Sequence, residues 1–88
     1  MAEVIHSEAD QQFTILPEGA THTEPATLKY VMLSENEIDF SSTYVPPALR
    51  NQGLAEKLVR EGLKWAREKD YQIVASCWYV DKFLQRGR

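Results

Sequence analysis

Apolar residues recur at every second position through the first half of the chain and at helical spacing through the second. Val4, Ile5 and His6 open with a short edge-strand pattern, and the "SEAD" that follows is turn-like. "QQFTIL" reads as a strand with Phe13 and Ile15 on one face, broken by Pro17, Glu18 and Gly19. "GATHTEP" is a polar loop. "ATLKYVML" alternates, with Leu28, Tyr30 and Met32 on one face and Lys29 on the other. After the turn residues "SENE", "IDFSSTYV" alternates again. Strict alternation puts Ile38, Phe40, Ser42 and Tyr44 on one face and Asp39, Ser41, Thr43 and Val45 on the other. Two such runs across a short polar loop predict an antiparallel hairpin.

Pro46 and Pro47 cannot donate to a sheet ladder, so the strand stops there. From about Gln52 to Lys69 the period becomes helical. Leu54, Ala55, Leu58, Val59, Gly62, Leu63 and Ala66 form one stripe, and Glu56, Lys57, Arg60, Glu61, Lys64, Arg67 and Glu68 lie outside it. Glu56 and Arg60 sit at i,i+4 in the favourable order. Gly62 in the stripe costs about 1 kcal/mol of helix propensity relative to Ala, so its place there predicts close approach to the sheet. Asp70 ends the helix. "YQIVASC" reads as a buried strand through Ile73, Val74 and Ala75, and "WYVDKFLQR" as a terminal helix docked by Val80, Phe83 and Leu84. A helix between the strands at 38–45 and 72–77 makes a βαβ unit, which requires those two strands to be parallel. The expected class is α+β: a mixed, mainly antiparallel sheet with one parallel βαβ unit and two helices.

Composition narrows the function. With 88 residues the prior is one domain, 1–88. The net charge of −3 argues against non-specific nucleic-acid binding but leaves room for a local anion site. One cysteine, Cys77, excludes an internal disulfide, gives no support to a metal cluster and fits a reducing compartment. "MAEVIHSEAD" has neither a basic start nor an apolar run, and no stretch nears the roughly 20 apolar residues of a membrane span. A soluble cytoplasmic protein without a membrane or nucleic-acid partner is therefore expected.

The chemistry points to the junction "VPPALRNQGLAEKLV", residues 45–59. The first amides of a helix lack partners within it, and the helix dipole adds partial positive charge there. Such a terminus can hold an anion. Gly53 would let a phosphate approach the backbone, and Arg50 adds a fixed charge. There is no G-x-x-x-x-G-K-[ST] and only one glycine, which removes nucleotide-hydrolase and dinucleotide readings. On these grounds alone, an ordinary helix start after a proline-ended strand fits equally well.

Arg50-Asn51-Gln52-Gly53-Leu54-Ala55 also matches [QR]-x-x-G-x-[GA], the acyl-CoA signature of the GNAT superfamily of N-acetyltransferases, and Val45 precedes the Arg by five residues as that family's strand-ending valine does. "TYVPPALRNQGLA" and "SCWYV" narrow the resemblance to the minimal single-domain GNAT-like subfamily, over roughly residues 13–84. The resemblance implies an acetyl-CoA site between two splayed parallel strands. The pantetheine arm would bond backbone at Thr43, Tyr44 and Val45. The pyrophosphate would rest on Gln52, Gly53, Leu54 and Ala55, with Arg50 and Asn51 beside it. The chain departs from the subfamily at Ser42, where His is common, at Asn51, where Gly is usual, and at Trp78, where Pro often stands; the His-Pro stretch usual near the end and the acceptor-gripping helices of larger members are absent.

Acetyl transfer to an amine needs a neutral amine, a polarised carbonyl and a proton for the leaving thiolate. Cys77 falls at the end of the second parallel strand, where the subfamily also has a cysteine. It is a candidate to line the site, or to carry the acetyl group in a two-step route; a small buried hydrophobe is the plainer role. Tyr79 is a candidate proton donor or a packing aromatic. His6 and His22 are expected in solvent, and Trp65 and Trp78 in packing. No metal site is expected. The leading expectation is an acetyl-CoA-dependent N-acetyltransferase acting on a small-molecule or protein amine, the alternative a CoA or acyl-CoA binding module with little catalysis, and a third an interaction protein keeping only the fold.

Overall fold

The computed structural model describes residues 4–17, 24–50 and 53–86. Of the positions singled out above, Glu18, Gly19, His22, Asn51 and Gln52 lie outside the described residues. The elements run β1 (Val4–Ser7), β2 (Gln12–Ile15), β3 (Ala26–Ser34), β4 (Glu37–Tyr44), a 3-10 turn (Pro47–Leu49), α1 (Leu54–Glu68), β5 (Gln72–Ala75) and α2 (Trp78–Arg86). One sheet has the order β1-β2-β3-β4-β5. Its first three pairings are antiparallel and β4–β5 is parallel, as the βαβ reading required.

The sheet has one covered face. Phe13, Ile15, Ala26, Leu28, Tyr30, Ile38 and Phe40 point from it into a core closed by Leu54, Leu58, Val59, Leu63 and Ala66 of α1 and by Val80 of α2. Gly62 is buried where α1 meets the sheet. A Cβ there would stand 2.8 Å from Leu28 Cδ2 and 3.0 Å from Phe40 Cε1, so only a bare Cα lets the helix come this close. The helix ends in a Schellman arrangement: Tyr71 N–H donates to Ala66 O at 3.0 Å and Asp70 N–H to Arg67 O at 3.0 Å, with Asp70 at φ 59°. Asp tolerates this left-handed conformation better than most residues.

Three expectations fail in the packing. β5 is an edge strand, so Ile73 and Ala75 are only half-buried and Val74 is exposed. His6 is not in solvent. It stacks on Phe13 at 4.1 Å, meets Trp65 edge-on at 4.4 Å, and shares a 2.6 Å hydrogen bond with the Tyr30 hydroxyl. Trp65 joins that cluster, as expected of a packing residue, but Trp78 is 74% exposed.

The face assignment in β4 also changes, for a specific reason. Tyr30 pairs with Phe40 while Lys29 pairs with Ser42, so Ser41 is an extra residue. The bulge resets the alternation. Beyond Phe40 it is Thr43, opposite Leu28, that takes the core side, while Ser42 and Tyr44 turn to the uncovered face. Ser41 Oγ donates to Lys29 O at 3.4 Å, within the disrupted ladder.

Candidate active site

The β4–β5 pairing stops at Phe40 and Ala75, yet β4 runs on to Tyr44. Beyond that point β5 has ended, and the chain leaves β4 to turn into α2. Thr43 Oγ1 and Cys77 Sγ face each other across the opening at 3.4 Å. The edge of β4 past Phe40 therefore has no strand partner there, although the Thr43 N–H bonds the Cys77 sulfur and the Val45 carbonyl accepts from Arg50 Nε.

The other wall is the start of α1. Pro46 and Pro47 end the strand, and the 3-10 turn brings the chain round with Leu49 N–H donating to Pro46 O at 2.9 Å. Arg50 Nε donates to Val45 O at 3.1 Å and ties the loop to the strand end. Gly53 then serves as the N-cap at φ 72°, ψ 18°, with no side-chain cap on the helix. A left-handed N-cap without a side chain suits glycine. The N–H groups of Leu54, Ala55 and Glu56 thus have no acceptor within the helix. Nothing lies within 4 Å of where a Gly53 Cβ would be, so the approach to these amides is open. Glu56 places a carboxylate in this first turn. Its charge is offset by Arg60, whose Nη2 donates to it at 2.9 Å.

A cavity of about 330 Å³ joins the two walls, lined by Val45, Leu49, Arg50, Gly53, Leu54, Ala55, Glu56 and Tyr79. Six residues singled out from the sequence therefore meet around one space: Val45, Arg50, Gly53, Leu54, Ala55 and Tyr79. Thr43 and Cys77 meet beside it, past the last β4–β5 pair. The Tyr44 side chain belongs elsewhere. With Ser42, Lys29, Thr27 and Gln12 it lines a separate cavity of about 370 Å³ on the uncovered sheet face.

Cys77 has a double role in the local structure. Its carbonyl accepts from Asp81 N–H at 3.1 Å, the first bond of α2, which makes it the N-cap residue. Burial pushes its thiol up, but hydrogen bonds from the Thr43 hydroxyl and from backbone N–H groups of Val80, Tyr79 and Thr43 favour the thiolate, and the balance lowers the pKa. Tyr79 packs between Trp78 and Phe83, with ring centroids 5.8 and 5.2 Å away.

Two residues here were not found by pattern. Asp39 Oδ1 accepts from Ser76 N–H at 2.8 Å and Asp39 Oδ2 from Ser76 Oγ at 2.7 Å. The available signal was an Asp in mid-strand, a position that residue usually avoids. No group of three or more His, Cys, Asp or Glu side chains able to hold a metal ion occurs among the described residues. No helix among them is long and apolar enough to cross a membrane.

A mixed sheet with one parallel pair, bridged by a glycine-capped helix, is the fold of an acetyltransferase domain. The family described as GCN5-related N-acetyl-transferase matches residues 12–88, and the chain belongs to it. Among curated relatives, Protein NATD1 of Bos taurus is 32% identical over 84 residues, covering 96% of this chain and 73% of the relative. Protein NATD1 of Gallus gallus is 30% identical over 85 residues, covering 97% and 76%. The solution NMR structure of a GCN5-like protein from Staphylococcus aureus superposes with a TM-score of 0.72 at 29% identity, covering 97% of this chain and 79% of that one.

Proposed function

We propose that the chain transfers an acetyl group from acetyl-CoA to the nitrogen of a small-molecule or protein amine. The observation that carries this reading is the end of the β4–β5 pairing at Phe40 and Ala75, with Cys77 and Thr43 at the opening and the uncapped start of α1 beside it. Family membership supplies acetyl-CoA as the co-substrate.

The residues present fit such a molecule. Open amides of Leu54, Ala55 and Glu56, reached past Gly53, suit a pyrophosphate. Asn51 and Gln52 belong to the same motif by sequence. The end of β4 at Thr43, Tyr44 and Val45, which runs past the last residue of β5, would lie along the amides of a pantetheine arm. Arg50 contributes charge at the rim while its Nε holds the loop closed on Val45.

In the direct route the amine nitrogen bonds to the acetyl carbon and gives up a proton to water, the carbon–sulfur bond breaks, and the leaving CoA thiolate takes up a proton. Tyr79, on the cavity wall, is the proton donor we assign. In the two-step route the Cys77 thiolate bonds to the acetyl carbon and expels CoA thiolate, which takes up a proton; the amine nitrogen then bonds to that carbon and loses a proton as the bond to the Cys77 sulfur breaks, restoring its thiolate. The lowered Cys77 pKa makes the second route chemically accessible, and a lone free cysteine suits a reducing, cytoplasmic setting.

Release of CoA thiol from acetyl-CoA, followed with and without added polyamines, lysine peptides and small amines, tests the proposal. Amine-dependent release is the expected result. A gain of about 42 Da in intact mass, one acetyl group, that disappears in Cys77→Ala marks the two-step route. Binding of CoA and acetyl-CoA with no release for any amine would replace the enzyme by a binding module. Binding of neither would leave only the fold.

A further inference from the structure

The parallel ladder between β4 and β5 keeps one register from Glu37–Gln72 to Phe40–Ala75 and slips by one residue just past it, at the mouth of the cleft. Gln72 N–H donates to Asn36 O at 2.6 Å, and Cys77 N–H donates to Phe40 O at 3.1 Å. Between these bonds β5 advances five residues (72 to 77) and β4 only four (36 to 40). A regular parallel ladder advances equally on both strands. The surplus residue is Ser76, the position whose N–H should have reached Phe40 O. That N–H is instead held by Asp39 Oδ1 at 2.8 Å, and the Ser76 hydroxyl by Asp39 Oδ2 at 2.7 Å.

Asp39 therefore does with its side chain what the next backbone carbonyl would have done. The consequence falls on Cys77. Because Ser76 is diverted, Phe40 O is left for Cys77 N–H, and the chain turns from β5 into α2 at that residue. Cys77 becomes the N-cap, its carbonyl bonded by Asp81 N–H and its sulfur facing Thr43 at 3.4 Å. In an unbroken ladder Ser76 would hold the Phe40 bond and α2 would start elsewhere.

We propose that Asp39 is a positioning residue of the acyl-transfer site: by capturing both polar groups of Ser76 it ends the β4–β5 ladder and fixes Cys77 at the mouth of the cleft and the start of α2. This rests on the reading above that the cleft is where acyl transfer occurs. Asp39 touches neither the cavity lining nor the sulfur, and acts through Ser76.

Cys77 is the only thiol in the chain, so its alkylation by iodoacetamide reports its ionisation without any ligand. The rate is measured against pH for the parent, Asp39→Ala, Asp39→Asn and Ser76→Ala. Asp39→Ala is expected to shift the profile to higher pH and slow alkylation at pH 7 about threefold or more, because the α2 amides no longer face a fixed sulfur. Asp39→Asn keeps an acceptor for Ser76 N–H and offers a donor to the Ser76 hydroxyl, so it is expected to restore the parent profile. An Asp39→Ala profile that overlays the parent overturns the proposal. So does a faster reaction shared by Ala and Asn, because loss of a nearby negative charge would then be the whole effect. Should Asp39→Ala fail to fold, Ser76→Ala removes one of the two bonds: an upward shift of its profile supports the proposal and an unchanged one overturns it. A parallel CoA titration of the parent separates the two claims, since absent CoA binding defeats the acyl-transfer reading whatever the thiol profiles show.

Discussion

Replacing Gly53 separates two reasons for a glycine at the start of α1. The backbone there is left-handed at φ 72°, yet the space a Cβ would fill is open to 4 Å. Conformation, not crowding, limits this position in the free protein. An L-residue in the left-handed region costs about 1–2 kcal/mol, and a β-branched one is a stronger outlier. For a domain of this size about 1 kcal/mol moves Tm by roughly 4–8 °C. Gly53→Val should therefore lower Tm and shift the first-turn amides. Losing one charge-assisted hydrogen bond to phosphate is worth about 1.5–3 kcal/mol, so CoA affinity should fall roughly 10- to 100-fold. Asn enters the left-handed region far more readily. Gly53→Asn should hold Tm close to the parent and still weaken CoA, because its side chain occupies the open approach. Arg50→Ala removes an exposed charge worth about 0–1 kcal/mol, so its loss should stay within about fivefold. Isothermal titration with CoA, beside thermal unfolding of each variant, reads all four proteins. CoA binding by Gly53→Val equal to the parent would refute the reasoning.

Further outcomes follow from the packing and the titrating groups. Gly62→Ala gains about 1 kcal/mol of helix propensity but drives a methyl to 2.8 Å from Leu28 Cδ2, an overpacking that costs about 1–3 kcal/mol, so urea unfolding should show no net stabilisation and a loss of at most about 2 kcal/mol. Burial lowers the His6 pKa below 6.5, with Glu8 opposing more weakly. The unfolded chain then binds a proton more readily, so stability is full above about pH 6.5 and falls as pH drops through that value toward the folded pKa. His6→Phe should lose this part of the pH dependence of Tm, and an unchanged Tm–pH curve would count against the buried neutral imidazole. Tyr30, whose pKa burial pushes up to about 12, should show no phenolate absorbance through pH 10. Breaking the exposed Glu56–Arg60 pair with Arg60→Ala should change stability by less than about 0.5 kcal/mol, less still at high salt.

The sequence and the structure agree where periodicity is long and disagree where one residue changes the phase. The stripe on α1 could be read directly, down to the close approach at Gly62, because 15 helical residues repeat one pattern. The five strands and the single parallel pair followed from alternation and the intervening helix. β4 could be read only to Phe40. The bulge at Ser41 leaves no mark on an alternating run, yet it decides that Thr43, and not Tyr44, faces Cys77. Asp39 and Ser76 stayed hidden for the same reason, since their bond depends on a slip between strands 37 residues apart. The exposure of Trp78 follows from Cys77 capping α2, which turns the next side chain away from the core. The glycine was legible as the residue at the start of α1, but the return of Arg50 to Val45 O was not.

The proposed acetyl-CoA site is the cleft past the last β4–β5 pair, together with the start of α1. Titration of the isotope-labelled protein with CoA, followed by amide chemical shifts, tests it most directly. The largest changes are expected at Leu54, Ala55 and Glu56 and at Thr43, Tyr44 and Val45, with β1 and the His6 cluster unmoved. Saturating CoA that leaves those six amides in place would contradict it.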